Sequence, residues 1–196
     1  LEQLGQKKIM TTFFPLDAGK EVKERFTDKT VNELVKACFD MGEVKTGALI
    51  VIEQNIRLNE YERTGINVDA VLTSQLLINI FEHNTPLHDG AIIVRGDRIV
   101  SATCYLPLSD NMELSKDLGT RHRAAVGMSE VSDAVIIVVS EETGAVSVAH
   151  SGKLLRDITR EELRASLEQI QNRKVESGKW YSLRKGRRKN ENKTVE

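Results

Sequence analysis

The chain has 196 residues, of which 40% are hydrophobic and 29% charged, and its formal net charge is −1. That length and apolar content suffice for one domain with a real core, while near-neutrality excludes a protein whose whole surface binds nucleic acid. Cys38 and Cys104 stand outside any metal or redox spacing and read as buried, reduced thiols, and the longest apolar run, "AVIIVV" at 134–139, is too short to cross a bilayer.

No basic-then-apolar leader opens the chain, and a first residue of Leu rather than Met leads us to expect a fragment of something longer. In chain order, Val31, Leu34, Val35, Cys38 and Phe39 recur at helical spacing behind Thr27 or Asp28 as N-cap. "GALIVIE" (47–53) is too short and too apolar for a surface helix and reads as a buried strand. Leu76, Leu77, Ile80 and Phe81 return to helical spacing. "AIIVRGDRIVSATCYLP" reads as a hairpin around Gly96-Asp97, a pair suited to a type II′ turn. A long polar loop after Pro107 leads to a short helix near Thr120. "DAVIIVVS" and "AVSVAH" pair across "EETG", and a last helix starts with Thr159 and Glu162 in capping-box spacing. The expected fold is α/β (α+β): a single globular domain whose central mixed sheet is flanked by helices. From Arg173 the composition turns polar and cationic, so 173–196 reads as a basic, disordered tail.

Three stretches carry candidate chemistry. In "NTPLHDGAIIV", Asp89 precedes Gly90 and a buried strand, which suits a metal or a ribose hydroxyl, because glycine lets a ligand approach the backbone; an ordinary polar turn explains it equally. In "LGTRHRAAVG", Arg121, His122 and Arg123 put cations in the first turn of a helix, where the dipole disfavours them. A bound polyanion would outweigh that repulsion, since guanidinium groups match phosphate oxygens in pairs and Gly119 and Thr120 admit it to the backbone. The competing reading is a solvated basic turn. In "VSEETGAVSV", Ser140, Glu141 and Glu142 close a strand, either as a polar hairpin turn or as part of a site.

Other matches fail. Lys45-Thr46-Gly47, Ser109-Asp110-Asn111 and Ser182–Lys185 imitate the signatures of penicillin-recognising serine enzymes, but in reverse order. Neither glycine-rich phosphate fingerprint occurs. "RKGRRK" offers contact with nucleic acid or anionic lipid, but such a run is more often a solvated tail.

Taken together and in order, "TGALIVIE", "PLHDGA", "LGTRHRAA" and "VSEETG" resemble the bacterial diadenylate cyclase domain, over about residues 10–172. Its two hallmark tripeptides stand intact as Asp89-Gly90-Ala91 and Arg121-His122-Arg123. His88 and the "TGALIVIE" run resemble the membrane-anchored type. That kinship divides the chain into a linker at 1–9 after a missing membrane region, a catalytic domain at 10–172 and the tail. It implies condensation of two ATP into cyclic di-AMP with loss of two pyrophosphates, across a homodimer and with Mg²⁺ or Mn²⁺. It implies that Asp89, Arg121, His122 and Arg123 are catalytic, with Asp89, His88 and Glu142 on the metal. Gly90, Ala91, Tyr105, Leu106, Gly119, Thr120 and Glu142 would then contact the substrate. A membrane-bound regulator and phosphoglucosamine mutase are the implied partners, with no nucleic acid. The full-length protein is expected at the cytoplasmic face of the cell membrane, and this fragment in solution. Two readings compete: a non-catalytic sensor of adenine nucleotide or cyclic dinucleotide with the same fold, and a nucleic-acid module acting through the tail.

Overall fold

The computed structural model describes residues 25–112, 114–115 and 118–171. The linker at 1–9 and the tail at 173–196 lie outside them. The elements are α1 (Asp28–Glu43), β1 (Ala48–Ile52), α2 (Asn59–Glu62), β2 (Ile66–Val71), α3 (Ser74–Phe81), β3 (Ala91–Arg95), β4 (Arg98–Cys104), α4 (Thr120–Val131), β5 (Val135–Val139), β6 (Val146–His150), β7 (Lys153–Leu155) and α5 (Arg160–Gln171). They form one seven-stranded sheet in the order β2-β4-β3-β1-β5-β6-β7. Only β1 and β3 run parallel; the other neighbours are antiparallel.

The apolar runs that read as strands are buried on both faces. Along β1 and β5 every residue is buried, because alternate side chains enter different cores. Leu49, Val51, Ile136 and Val138 join Ala124, Ala125, Val126 and Met128 of α4 on one face. Ile50, Ile52, Ile137 and Val139 meet the apolar stripes of α1, α3 and α5 on the other. The predicted helices hold their stripes: Val31, Leu34, Val35 and Cys38 of α1 are at most 1% exposed. Each such side chain contributes roughly 1.5–3 kcal/mol by leaving water.

Local signals set the helix starts. Thr27 caps α1 by accepting from the Thr30 N–H, Thr73 caps α3 by accepting from Leu76, and Thr159 and Glu162 form the reciprocal capping box of α5. The β3–β4 turn carries positive φ at Gly96 and not at Asp97, as a type II′ turn requires. Asp97 in that turn then accepts from the Thr27 N–H and from the Thr27 and Thr30 hydroxyls, tying the hairpin to the start of α1.

Three elements have no counterpart in the sequence reading: α2, β2 and β7. The edge strand β2 is mostly exposed and its register breaks between Asn67 and Ala70, so it shows no clean alternation. The edge strand β7 has three residues and owes its shape to pairing with β6.

Candidate active site

The register brings four loops to one edge of the sheet. Ala48 at the start of β1 pairs with Val139 at the end of β5, and Ala91 at the start of β3 pairs with Cys104 at the end of β4. Along this edge therefore stand Tyr105-Leu106, then His88-Asp89-Gly90, then Thr46-Gly47, then Ser140-Glu141-Glu142. The starts of β3 and the end of β5 are two strand spacings apart, about 10 Å.

Helix α4 opens at the last of these loops. Its N-cap is Gly119, with no side-chain hydrogen bond, and its first turn contains no acid. The first N–H groups of a helix have no i−4 partner within it; the His122 N–H turns back to the Gly119 carbonyl, which leaves those of Thr120 and Arg121. Here they and the positive end of the dipole face a cavity of 560 Å³, lined by Gly119, Thr120, Arg121 and His122 and, opposite, by Glu141, Glu142, Arg156 and Asp157. Arg121 Nη1 donates to Glu141 Oε2 at 2.5 Å. The guanidinium lies over Gly47: a Cβ there would come within 2.6 Å of Nη1, so any side chain at this position displaces Arg121. Burial lowers the His122 pKa and the positive charge of Arg156 lowers it further, against an opposing pull from Glu142. His122 is therefore a neutral imidazole at pH 7.

Backbone hydrogen bonds shape the acidic wall. Ser140 Oγ accepts from the Glu142 and Thr143 N–H groups, and the Gly144 N–H donates to the Ser140 carbonyl. Gly144, at φ 79°, packs on Gly42 at the end of α1 so tightly that a Cβ would lie 2.2 Å from the Gly42 carbonyl oxygen. No residue but glycine fits there.

The remaining predicted residues fall elsewhere or turn aside. Arg123 does not line the cavity, although Thr120, Arg121 and His122 before it do. Its carbonyl instead accepts from Ser109 N at 3.0 Å, which lays the loop after β4 on α4. Ala91 is fully buried beneath α4, so its methyl faces the core and not a ligand. Tyr105 is exposed and Leu106 half-buried, both outside the cavity. Asp89 is exposed, with Oδ1 accepting from the Gly90 N–H at 2.9 Å. His88 Nδ1 lies 2.6 Å from the Thr85 carbonyl oxygen. A carbonyl only accepts, so Nδ1 carries the proton and Nε2 the lone pair. Glu142 stands two strands from this pair. Among the described residues no three His, Cys, Asp or Glu side chains gather in a metal-binding arrangement, so His88, Asp89 and Glu142 do not form one ligand set within a chain.

Sequence reasoning gave Glu141 only as part of a polar turn or a site, and passed over Gly47, Arg156 and Asp157. Gly47 and Glu141 had a signal, each standing at the end of a buried strand. Arg156 had none, because its place depends on β7.

Fold and site define an α/β domain with a charge-lined cavity, large enough for a small-molecule ligand, at one sheet edge. The family model described as DisA bacterial checkpoint controller nucleotide-binding matches residues 35–154. The cyclic di-AMP synthase CdaA of Bacillus subtilis (strain 168) is 47% identical over 184 residues, 92% of this chain and 65% of that protein. The diadenylate cyclase of Listeria monocytogenes serotype 1/2a (strain 10403S) is 48% identical over 163 residues, 83% of this chain and 58% of that protein. A crystal structure of DacA from Staphylococcus aureus superposes with a TM-score of 0.72 at 50% identity, covering 73% of this chain and 95% of that one. A crystal structure described as a hypothetical membrane spanning protein from Bacillus cereus gives 0.65 at 46% identity, covering 68% of this chain and 65% of that one. The chain belongs to this nucleotide-binding family. It spans less than two thirds of the length of the curated relatives it matches, and among the described residues no helix is long and apolar enough to cross a membrane.

Proposed function

We propose that the chain is the catalytic domain of a diadenylate cyclase, condensing two ATP into cyclic di-AMP and two pyrophosphates. The carrying observation is that the uncapped, cationic start of α4 and the Asp89 loop open on the same sheet edge. In each half-reaction a 3′-oxygen–phosphorus bond forms at an α-phosphate, the bond to pyrophosphate breaks and the hydroxyl proton leaves. Arg121 binds phosphate oxygens in place of Glu141, Thr120 offers its hydroxyl and first-turn N–H, and neutral His122 donates a ring N–H. These groups stabilise charge gathering on the leaving pyrophosphate.

The side chains of the Asp89 loop fit a divalent cation. A His whose Nδ1 is held by a backbone carbonyl presents Nε2 as a ligand, and Mg²⁺ or Mn²⁺ is commonly bound by one or two protein groups together with substrate phosphates. Asp89 and His88 would hold it, with Glu142 reaching the nucleotide from the other side. When bound, the cation neutralises the α-phosphate and acidifies the attacking hydroxyl.

The product has two equivalent phosphodiesters, so two identical half-sites facing across a two-fold axis suffice. The exposed apolar side chains of Tyr105 (73%), Leu108 (56%) and Met112 (94%) stand in the loop after β4 and suit a face covered by a second copy. On the same kinship, the full-length protein is anchored at the cytoplasmic face of the membrane, with a membrane-bound regulator and phosphoglucosamine mutase as partners. Incubation with ATP and Mn²⁺, with the product identified by mass, tests the reading. Cyclic di-AMP is expected, with specific activity falling on dilution toward monomer. Bound but unconverted ATP would make the chain a sensor instead.

A further inference from the structure

Several arginines elsewhere on this fold are ion-paired. Arg95 is held by Glu53 and Glu62, Arg57 by Glu53, Arg98 by Asp69 and Arg121 by Glu141. Arg156 differs. Among the described residues no carboxylate lies within ion-pair distance of it, yet it lines the same cavity as Arg121 and His122. It arrives from the opposite wall, on the turn between β7 and α5, and stands near enough to His122 for its charge to act on that ring. An exposed guanidinium facing solvent on a convex surface needs no partner. One turned into a cavity beside an open helix N-terminus is placed to receive an anion from solution.

We propose that Arg156 is a further substrate-binding residue, which takes the phosphate farthest from the nucleoside and so makes the cavity select triphosphate over shorter phosphate chains. This rests on the reading of the cavity as the triphosphate site. The charges support the assignment. Arg121 and Arg156 share the cavity lining with Glu141, Glu142 and Asp157. With Arg121 already shared by Glu141, Arg156 is the cation an incoming phosphate meets without displacing a carboxylate. A guanidinium forms two parallel bonds to a phosphate, which an ammonium cannot. Recognition therefore depends on the fork as well as on the charge.

The test is equilibrium binding of ATP, ADP, AMP and inorganic pyrophosphate to the wild-type chain, Arg156→Gln and Arg156→Lys, with cyclisation measured in parallel. The exposed position of Arg156 leaves folding intact in both variants. Arg156→Gln is expected to weaken ATP and pyrophosphate by about 10-fold or more, to weaken ADP less and to leave AMP unchanged. Arg156→Lys should recover only part of the loss. Equal weakening of all four ligands, or no weakening of ATP, overturns the proposal. A wild-type chain that cyclises ATP while Arg156→Gln binds it normally refutes this inference and spares the cyclase. A wild-type chain that binds ATP through Arg156 without cyclising it does the reverse.

Discussion

At one end of the sheet, where β1 and β3 finish, Glu53 accepts from Arg95 at 2.7 and 2.9 Å, from Arg57 at 2.8 Å and from the Leu58 N–H at 3.0 Å. Arg95 also reaches Glu62. At the other end, Arg121 holds one carboxylate, α4 starts without a cap and Asp89 is exposed. Both ends gather charge. The first satisfies nearly every donor and acceptor internally, so it ties the β1–α2 loop to β3 and offers a ligand little. The second leaves donors unmet, which costs some stability and gives a phosphate chain something to bind. An internally closed network is structural; one left open toward a cavity is where chemistry belongs.

The strongest way to break this contrast is Asp89→Asn. It should abolish cyclic di-AMP formation while ATP binding and thermal stability stay near wild type. Turnover at a wild-type rate would remove Asp89 from the metal and the open end from the chemistry. Next in size, Glu53→Ala should cost about 3 kcal/mol in chemical denaturation, because it leaves Arg95 with Glu62 alone and the buried Leu58 N–H without an acceptor. Glu141→Ala, at the open end, should cost under about 1 kcal/mol.

The closed end also has a pH signature. Burial pushes the Glu53 carboxyl up, but the hydrogen bonds from Arg95, Leu58 and Arg57 outweigh it and leave its pKa below the ordinary value. The unfolded chain then binds the proton more tightly than the folded one. The contribution is therefore complete above the ordinary carboxylate range and is lost as pH falls through the lower folded value. Thermal melts from pH 7 down to pH 3 should show a steeper acid decline in wild type than in Glu53→Gln.

Arg121→Ala should weaken ATP binding by about 10- to 100-fold, with little change in stability, as judged by calorimetry and melting. The smallest effect tests the open helix start itself. A Cβ at Gly119 meets nothing within 4 Å and its backbone is extended, so serine fits. Gly119→Ser should stabilise α4 by a few tenths of a kcal/mol and weaken ATP binding modestly, since the new hydroxyl accepts an N–H meant for phosphate. A variant both more stable and tighter-binding would mean that the free N–H groups play no part.

Much of this was legible in the residues. Helical spacing located α1 and α3, a threonine was offered for the start of α1 and a capping box marked that of α5, and unbroken apolar runs located β1, β3 and β5. Those signals are local: a stripe or a cap lies within one or two turns of chain. The cationic first turn of α4 was legible for the same reason, as a misplacement against the helix dipole. By contrast, β2 and β7 draw their shape from β4 and β6, and neither hydrophobic period nor turn chemistry marks a bulged or three-residue edge strand.

The sequence alone thus determined the class of fold, the family and the two loops to watch, because each depends on contiguous residues. Only the tertiary structure decided which members of those loops meet. It turned Arg123 and Ala91 away from the cavity, set Gly47 beneath Arg121 and brought Glu141 and Arg156 to the same opening. Side-chain direction follows from helix phase and strand register, and residues 35 positions apart become neighbours only when β5, β6 and β7 pair.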